Sequence, residues 1–427
     1  MNQSSSITWI GALVTLLFFI GCDSGANWRG NLLSAPMIQG VQNVAQINES
    51  IAKLPALESL RGSAKCDVTV MQIEYETPGV KGDERSNASA ALLLPSGVHC
   101  PSKPYPLIAY ARGTAIEKAH TNATMRLPDI QVLMAVFASQ GYVVVATDYL
   151  GYARSNYPYH PFMHADTTAN TVMDSLRAAR NTAHLRGITL SDKVMLTGFS
   201  QGGHASLATQ RRIEAEHTGE FNVVATAHLV GPYEVSKALI NGVSQPIGGV
   251  QALVPFQIVS WQKIYGDVYA QASDVFNAPY DSSIETLMPI VNYPLDLGKL
   301  PRGTPEEAKN AMFKPAYLRD LVENPANGTI VAAKKQDVLG WDPKAPMMLC
   351  SGKNDPVVKF FHAQDAFDDF RSRGMKNIAL VDVDKNIAQT FGHVRDTDMS
   401  TYLREYHGTY DFQFCTQVAK HFFDAYQ

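Results

Sequence analysis

The sequence predicts an α/β protein: a mostly parallel central sheet, helices on both of its faces, and a mostly helical insertion set over one sheet edge. Short β-branched runs without polar breaks, such as YVVVATDY at 142–149, read as strands buried on both faces. Helical spacing separates them, as at 165–185, where Val172, Leu176 and Ala179 recur every three or four residues. The alternation stops between 232 and 338, a stretch rich in aromatics and proline (Phe256, Trp261, Tyr265, Tyr269, Phe276, Tyr280, Tyr293, Pro294) with helical rather than strand periodicity. An insertion after a strand C-terminus lies over the edge where open α/β sheets bind ligands, so it reads as a cap.

Residues 7–20 (ITWIGALVTLLFFI) form an apolar run too short for an ordinary membrane span but suited to a signal-peptide core. Ile20-Gly21-Cys22 then resembles a bacterial lipoprotein cleavage site. That resemblance implies a leader over 1–21, acylation of Cys22 and a membrane partner through the lipid. An ordinary signal peptide followed by an incidental cysteine is the other reading. Either way export is expected, to the cell envelope as a lipoprotein or as a secreted protein.

Residues 22–65 read as a linker and extension. CDVTVMQIEYETP (66–78) and SNASAALLLPSGVHC (86–100) form a hairpin, and a turn about Lys81-Gly82-Asp83 sets Cys66 opposite Cys100. A disulfide there fits an exported chain; Cys350 and Cys415 remain as a second possible pair, with Cys350 as a buried core cysteine the alternative. The following strands are expected at 106–114, 142–149, 193–200, 221–231, 346–352 and 377–384. The helices between them are expected at 127–140, 165–185, 203–217 and 360–373. The α/β core then comprises 66–231 and 339–427, and the cap 232–338.

Hydrophobic residues make up 45% of the chain and charged residues 18%, which excludes wholesale disorder. The net charge is −4 and the lysines and arginines are scattered, so no basic stripe exists for a nucleic-acid partner. No metal-ligand spacing and no glycine-rich phosphate loop stands out, and no cofactor is expected.

The chemistry starts at Gly198-Phe199-Ser200-Gln201-Gly202. This G-x-S-x-G follows a strand and opens a helix, the strained elbow that lifts a serine hydroxyl over the sheet edge. A serine needs a base, and the base an orienter. Partners in this architecture follow in the order serine, acid, histidine. Asp355, in SGKNDPV after the strand at 346–352, is the expected orienter. His393, in FGHV after the strand at 377–384, is the expected base. Asp382 and Asp384 lie at the strand end and are weaker choices. His204 is expected to pack at the elbow helix, and His407 and His421 to be surface or packing residues of the terminal helices. The oxyanion of an acyl-transfer intermediate would meet the backbone N–H of Gln201 and an N–H from the loop at 112–115, with Thr114 preferred over Gly113.

GFSQGGHA, ATDYLGYARS, the GT loop, PMMLCSGKNDPVV and FGHV together resemble the α/β-hydrolase superfamily, from about residue 68 to the C-terminus. The insertion after the nucleophile strand resembles the secretory-lipase-like, lipase A-type branch. That resemblance implies hydrolysis of carboxylic or lipid esters through an acyl-enzyme on Ser200. The cap would line an apolar trough with residues such as Val254, Ile258 and Trp261. Short-chain or polysaccharide-ester deacetylation is an alternative, as is peptide hydrolysis on the same fold, although 23–65 is too short for a prolyl-oligopeptidase propeller. A non-catalytic binding protein on this scaffold would be expected to lack a triad member.

Overall fold

The computed structural model describes residues 28–82, 84–101 and 104–427; the apolar run at 7–20 and Cys22 lie outside the described residues. Among the described residues nine strands form one sheet: β1 (Met37–Gln42), β2 (Asp67–Pro78), β3 (Arg85–Ser96), β4 (Tyr105–Ala111), β5 (Val143–Thr147), β6 (Leu190–Phe199), β7 (Asn222–Leu229), β8 (Met347–Ser351) and β9 (Ile378–Asp382). Their order is β1-β2-β3-β5-β4-β6-β7-β8-β9. The pairs from β1 to β5 are antiparallel, and the ladder from β5 to β9 is parallel. Strands β4, β5 and β8 are buried at every position, which matches their unbroken apolar sequences. The segment read as a linker contributes the edge strand β1.

Two cores sit on opposite faces, separated by the two-residue alternation of the strands. On one face Leu107, Ala109, Val143 and Val145 pack with Val172 and Leu176 of α3 (Ala165–Leu185). Ala205 and Ile213 of the elbow helix join the same core. On the other, Ile108, Tyr110, Val144 and Ala146 pack with Ile47 of α1 (Val44–Ile51) and Leu133 of α2 (Pro128–Val136). The elbow helix is α4 (Gln201–Glu216).

Between β7 and β8 the chain forms α5 (Val235–Ser244), α6 (Val250–Tyr265), α7 (Ala272–Val275), α8 (Ile284–Leu287), α9 (Pro305–Met312), α10 (Pro315–Glu323) and α11 (Gly328–Lys334). Ile258 and Trp261 of α6 are fully buried in the first core rather than lining a trough. Beyond β8 come α12 (Phe361–Ser372), α13 (Asp384–Thr397), α14 (Met399–Glu405) and α15 (Phe412–Asp424). A π-helical turn, Tyr406–Asp411, joins the last two. Among the described residues no helix is long and apolar enough to cross a membrane.

The hairpin register differs from the expected one. Asp67 pairs with Ser96 and Pro78 with Arg85, so Cys66 does not face Cys100 across the ladder. Instead the chain turns after β3, with Cys100 N donating to Gly97 O (3.3 Å), and this turn carries the sulfur back. The Cys66–Cys100 Cα atoms are 4.5 Å apart in the bonded pair. Cys350 and Cys415 are also bonded, across 65 residues of chain, and tie β8 to α15. Replacing both Cys350 and Cys415 by alanine should cost about 4 kcal/mol through the freed unfolded chain. Denaturant titration of the disulfide-bonded protein checks this; an unchanged midpoint contradicts it.

Five buried histidines (His160, His164, His204, His228 and His362) are held neutral, their pKa values lowered by burial to about 3 or 4. The folded value lies below the unfolded one near 6.5. Stability from each is therefore present above pH 6.5 and is lost as pH falls towards 4. Raised values at buried Asp148 and Asp174 and half-buried Asp129, again from desolvation, act in the opposite sense. His228 isolates one contribution, because its Nε2 donates to Gln210 Oε1 (2.8 Å) in the interior. His228→Phe should flatten the stability–pH slope between pH 6.5 and 4 by about 1.4 kcal/mol per pH unit. The slope is the readout, since lost packing moves the absolute stability without tilting it. Parallel slopes in the two proteins contradict the assignment.

Candidate active site

Ser200 sits between the end of β6 and the first residue of α4, with φ 58° and ψ −117°. A non-glycine residue at positive φ is strained, and the surroundings hold it there. Ser200 N donates to Leu229 O (2.9 Å), and strand and helix cross so closely that flanking side chains cannot be accommodated. A Cβ on Gly202 would fall 1.8 Å from Ala111 O, and one on Gly198 2.2 Å from Gly202 O. The glycines of the motif are thus fixed by contact between backbones.

Asp355 lies on the loop after β8, at the same sheet edge, and is buried. Its Oδ1 accepts from Val357 N (2.7 Å) and Val358 N (2.9 Å). The residue that meets both Ser200 and Asp355 is His407. Its Nδ1 donates to Asp355 Oδ2 at 2.7 Å, and its Nε2 is 2.9 Å from Ser200 Oγ. The Phe199 ring supports the imidazole, with centroids 4.9 Å apart.

His393 is therefore not the histidine at this site. The segment after β9 is the helix α13 and not a loop, and His393 is exposed on its outer side while Ile387 and Phe391 face the core. Asp382 accepts from Lys353 N and Asp384 N, and Asp384 accepts from Tyr406 Oη; neither bonds to the His407 imidazole. His204 packs as expected, donating Nε2–H to Gln336 O at 2.7 Å, and His421 is exposed.

Asp355 has a buried carboxyl neighbour, Asp411, at the end of the π turn, and the two side chains are hydrogen-bonded. Asp411 Oδ2 also accepts from Gly352 N at 3.0 Å. Burial would raise both acids. At Asp355 the charge and hydrogen bond of His407, with help from Asp411 and Val357 N–H, outweigh burial and hold the carboxyl below its ordinary value. At Asp411 burial and the Asp355 charge act together and push it well above.

The loop carrying Gly113 and Thr114 follows β4 and passes against the elbow. A Cβ on Gly113 would lie 3.8 Å from Ser200 Cβ. Tyr149 Oη donates to Arg112 O (2.9 Å) and Tyr152 Oη to Ala115 O, pinning the loop at both ends. The side chain of Gln201 is turned away, donating Nε2–H to His160 Nε2 at 2.8 Å while His160 Nδ1–H donates to Leu150 O at 2.9 Å. Gln201 is also the first residue of α4, where the leading backbone N–H groups have no intrahelical partner. Ser200, Gln201 and Thr114 line one narrow cavity of about 90 Å³, together with Leu239, Leu253 and Val254 of the cap.

Residues 118–237 match the family model for secretory lipase. The rice cell wall degrading esterase LipA from Xanthomonas oryzae is 34% identical, covering 90% of this chain and 99% of that one with a TM-score of 0.77. The chain belongs to the secretory lipase family. As a secretory lipase it is a carboxylic ester hydrolase with the α/β-hydrolase fold. The fold alone is shared with a hydrolase structure from Legionella pneumophila (22% identity, 91% and 98% coverage, TM-score 0.75). The same holds for lipase A from Candida antarctica (16% identity, 88% and 83% coverage, TM-score 0.60). No curated protein matches the chain.

His407 is the site residue that sequence reasoning missed. The signal that redirects attention is in α13: Ile387, Phe391 and Val394 recur at helical spacing, which puts the intervening His393 on a helix surface and removes it from a loop.

Proposed function

We propose that this secretory lipase is an exported serine hydrolase that cleaves short acyl esters through an acyl-enzyme on Ser200. The observation that carries the reading is the unbroken hydrogen-bond chain from Ser200 Oγ through His407 to Asp355. Ser200 Oγ attacks the ester carbonyl carbon while His407 Nε2 takes its proton. Negative charge on the carbonyl oxygen is met by the Gln201 backbone N–H and a second donor from the Gly113–Thr114 loop. As the tetrahedral intermediate collapses, the C–O bond to the alcohol breaks and His407 returns the proton to the leaving oxygen. Water then repeats the sequence on the acyl-serine and releases the acid. Asp355 keeps Nε2 as the proton-accepting nitrogen in the resting imidazole and stabilises the imidazolium that forms.

The narrow cavity beside Ser200 favours short acyl chains over long ones. Two disulfides fit an oxidising compartment, and the apolar run at 7–20 supplies the leader, with Cys22 as the residue that takes a lipid anchor. Hydrolysis of 4-nitrophenyl esters from acetate to laurate tests the reaction. Turnover should peak at a short chain and disappear in Ser200→Ala. Activity that survives Ser200→Ala removes the reading.

A further inference from the structure

His362, in the first turn of α12, lines the cavity that holds Ser200. Its side chain is buried, yet neither ring nitrogen bonds to any protein group among the described residues, and Nδ1 is wholly enclosed. Among the described residues the other buried imidazoles each bond through at least one ring nitrogen: His160 to Leu150 O and Gln201, His164 to Thr167, His204 to Gln336 O with its Nδ1 unpartnered, and His228 to Ser206 and Gln210. Nε2 of His362, which is not enclosed, is thus left without a protein partner and is free to meet a ligand in the cavity. Two further polar side chains that line this cavity, Asn241 of α5 and Gln257 of α6, are half-buried and also make no side-chain hydrogen bond to protein among the described residues. The other cap residues that line the cavity, such as Ala238, Leu239, Ile247, Leu253 and Val254, are apolar. Apolar lining with a few converging polar groups is the pattern of a site that orients a ligand carrying matching polar atoms.

We propose that His362, with Asn241 and Gln257, recognises an oxygen-bearing substituent (a hydroxyl, ether or second carbonyl) on the half of the ester that enters this cavity. The preferred substrates are then oxygenated esters rather than simple alkyl esters of the same length. Burial, reinforced by the positive charge of Lys237, keeps His362 neutral down to a pKa of about 3. The neutral ring therefore keeps Nε2 available, as donor or acceptor according to the tautomer, over the whole working range. With Nδ1 enclosed, Nε2 is the nitrogen that meets substrate.

The inference rests on the Ser200 ester-hydrolase reading, and two matched substrate pairs test it. For the acyl half, kcat/KM is compared for 4-nitrophenyl butanoate and 4-nitrophenyl 3-hydroxybutanoate. For the alcohol half, butyl acetate is compared with glycerol monoacetate by acid release. In one pair the ratio of oxygenated to plain ester should fall about tenfold in His362→Phe, with His362→Gln keeping part of the preference. Thermal unfolding of each variant shows that the fold is retained. A purely structural His362 would lower both members of each pair alike. Unchanged ratios in both pairs, with turnover still dependent on Ser200, overturn this inference and leave the ester-hydrolase reading intact. Turnover that does not depend on Ser200 overturns the reading beneath it.

Discussion

Replacing His407 by alanine is expected to abolish ester turnover, with a loss on the order of a million-fold in kcat, because members of a catalytic triad act as a unit. His393→Ala should stay within about twofold of wild type, since an exposed helix residue away from the site contributes little. The pair of variants separates two histidines close together in sequence that a chain-order argument treats as equivalent. Rates with a short 4-nitrophenyl ester decide between them. A severe loss in His393→Ala with activity retained in His407→Ala would reverse the assignment made from the 2.9 Å contact to Ser200.

The strands of the parallel ladder, α3 and the elbow were legible because each carries its own local signal. Buried parallel strands read as apolar runs, α3 was expected over the residues it occupies, and the glycines around Ser200 are dictated by backbone contact. Asp355 was legible because it stands just past a core strand. His407 was not, for two physical reasons. The chain order of the triad requires only that the histidine follow the acid, so it does not choose among later histidines. A histidine amid terminal helices also reads as a surface residue by the regular helical period. The π turn at Tyr406–Asp411 breaks that period, and π turns tend to occur at functional sites. The chain between β7 and β8 is helical, but periodicity alone could not tell which residues of α6 face the site. Val254 lines the cavity, while Ile258 and Trp261 are interior packing. The hairpin register slipped because Cys100 lies beyond the strand, in a turn whose geometry the alternation pattern does not encode.

Two amide substitutions in the buried carboxyl pair should give opposite results. Every other group that Asp355 meets is a donor: His407 Nδ1–H, Val357 N–H and Val358 N–H. Two adjacent buried carboxyls cannot both carry charge cheaply, so the charge belongs to Asp355 and the proton to Asp411. Asp411 then accepts from Gly352 N with one oxygen and donates its proton to Asp355 with the other. An asparagine at 411 reproduces both bonds, with its carbonyl towards Gly352 and its amide towards Asp355. Asp411→Asn should therefore keep kcat within a few-fold of wild type across the pH range. Asparagine at 355 cannot accept from three donors as the carboxylate does, and it turns the imidazole to the tautomer that cannot take the Ser200 proton. Asp355→Asn should lower kcat on the order of ten-thousand-fold. Asp411→Ala removes the donor without a substitute and should fall between the two. Measured kcat–pH profiles of the three variants decide the matter. A loss in Asp411→Asn as large as that in Asp355→Asn would put the charge on Asp411 and make it, rather than Asp355, the acid on which His407 depends.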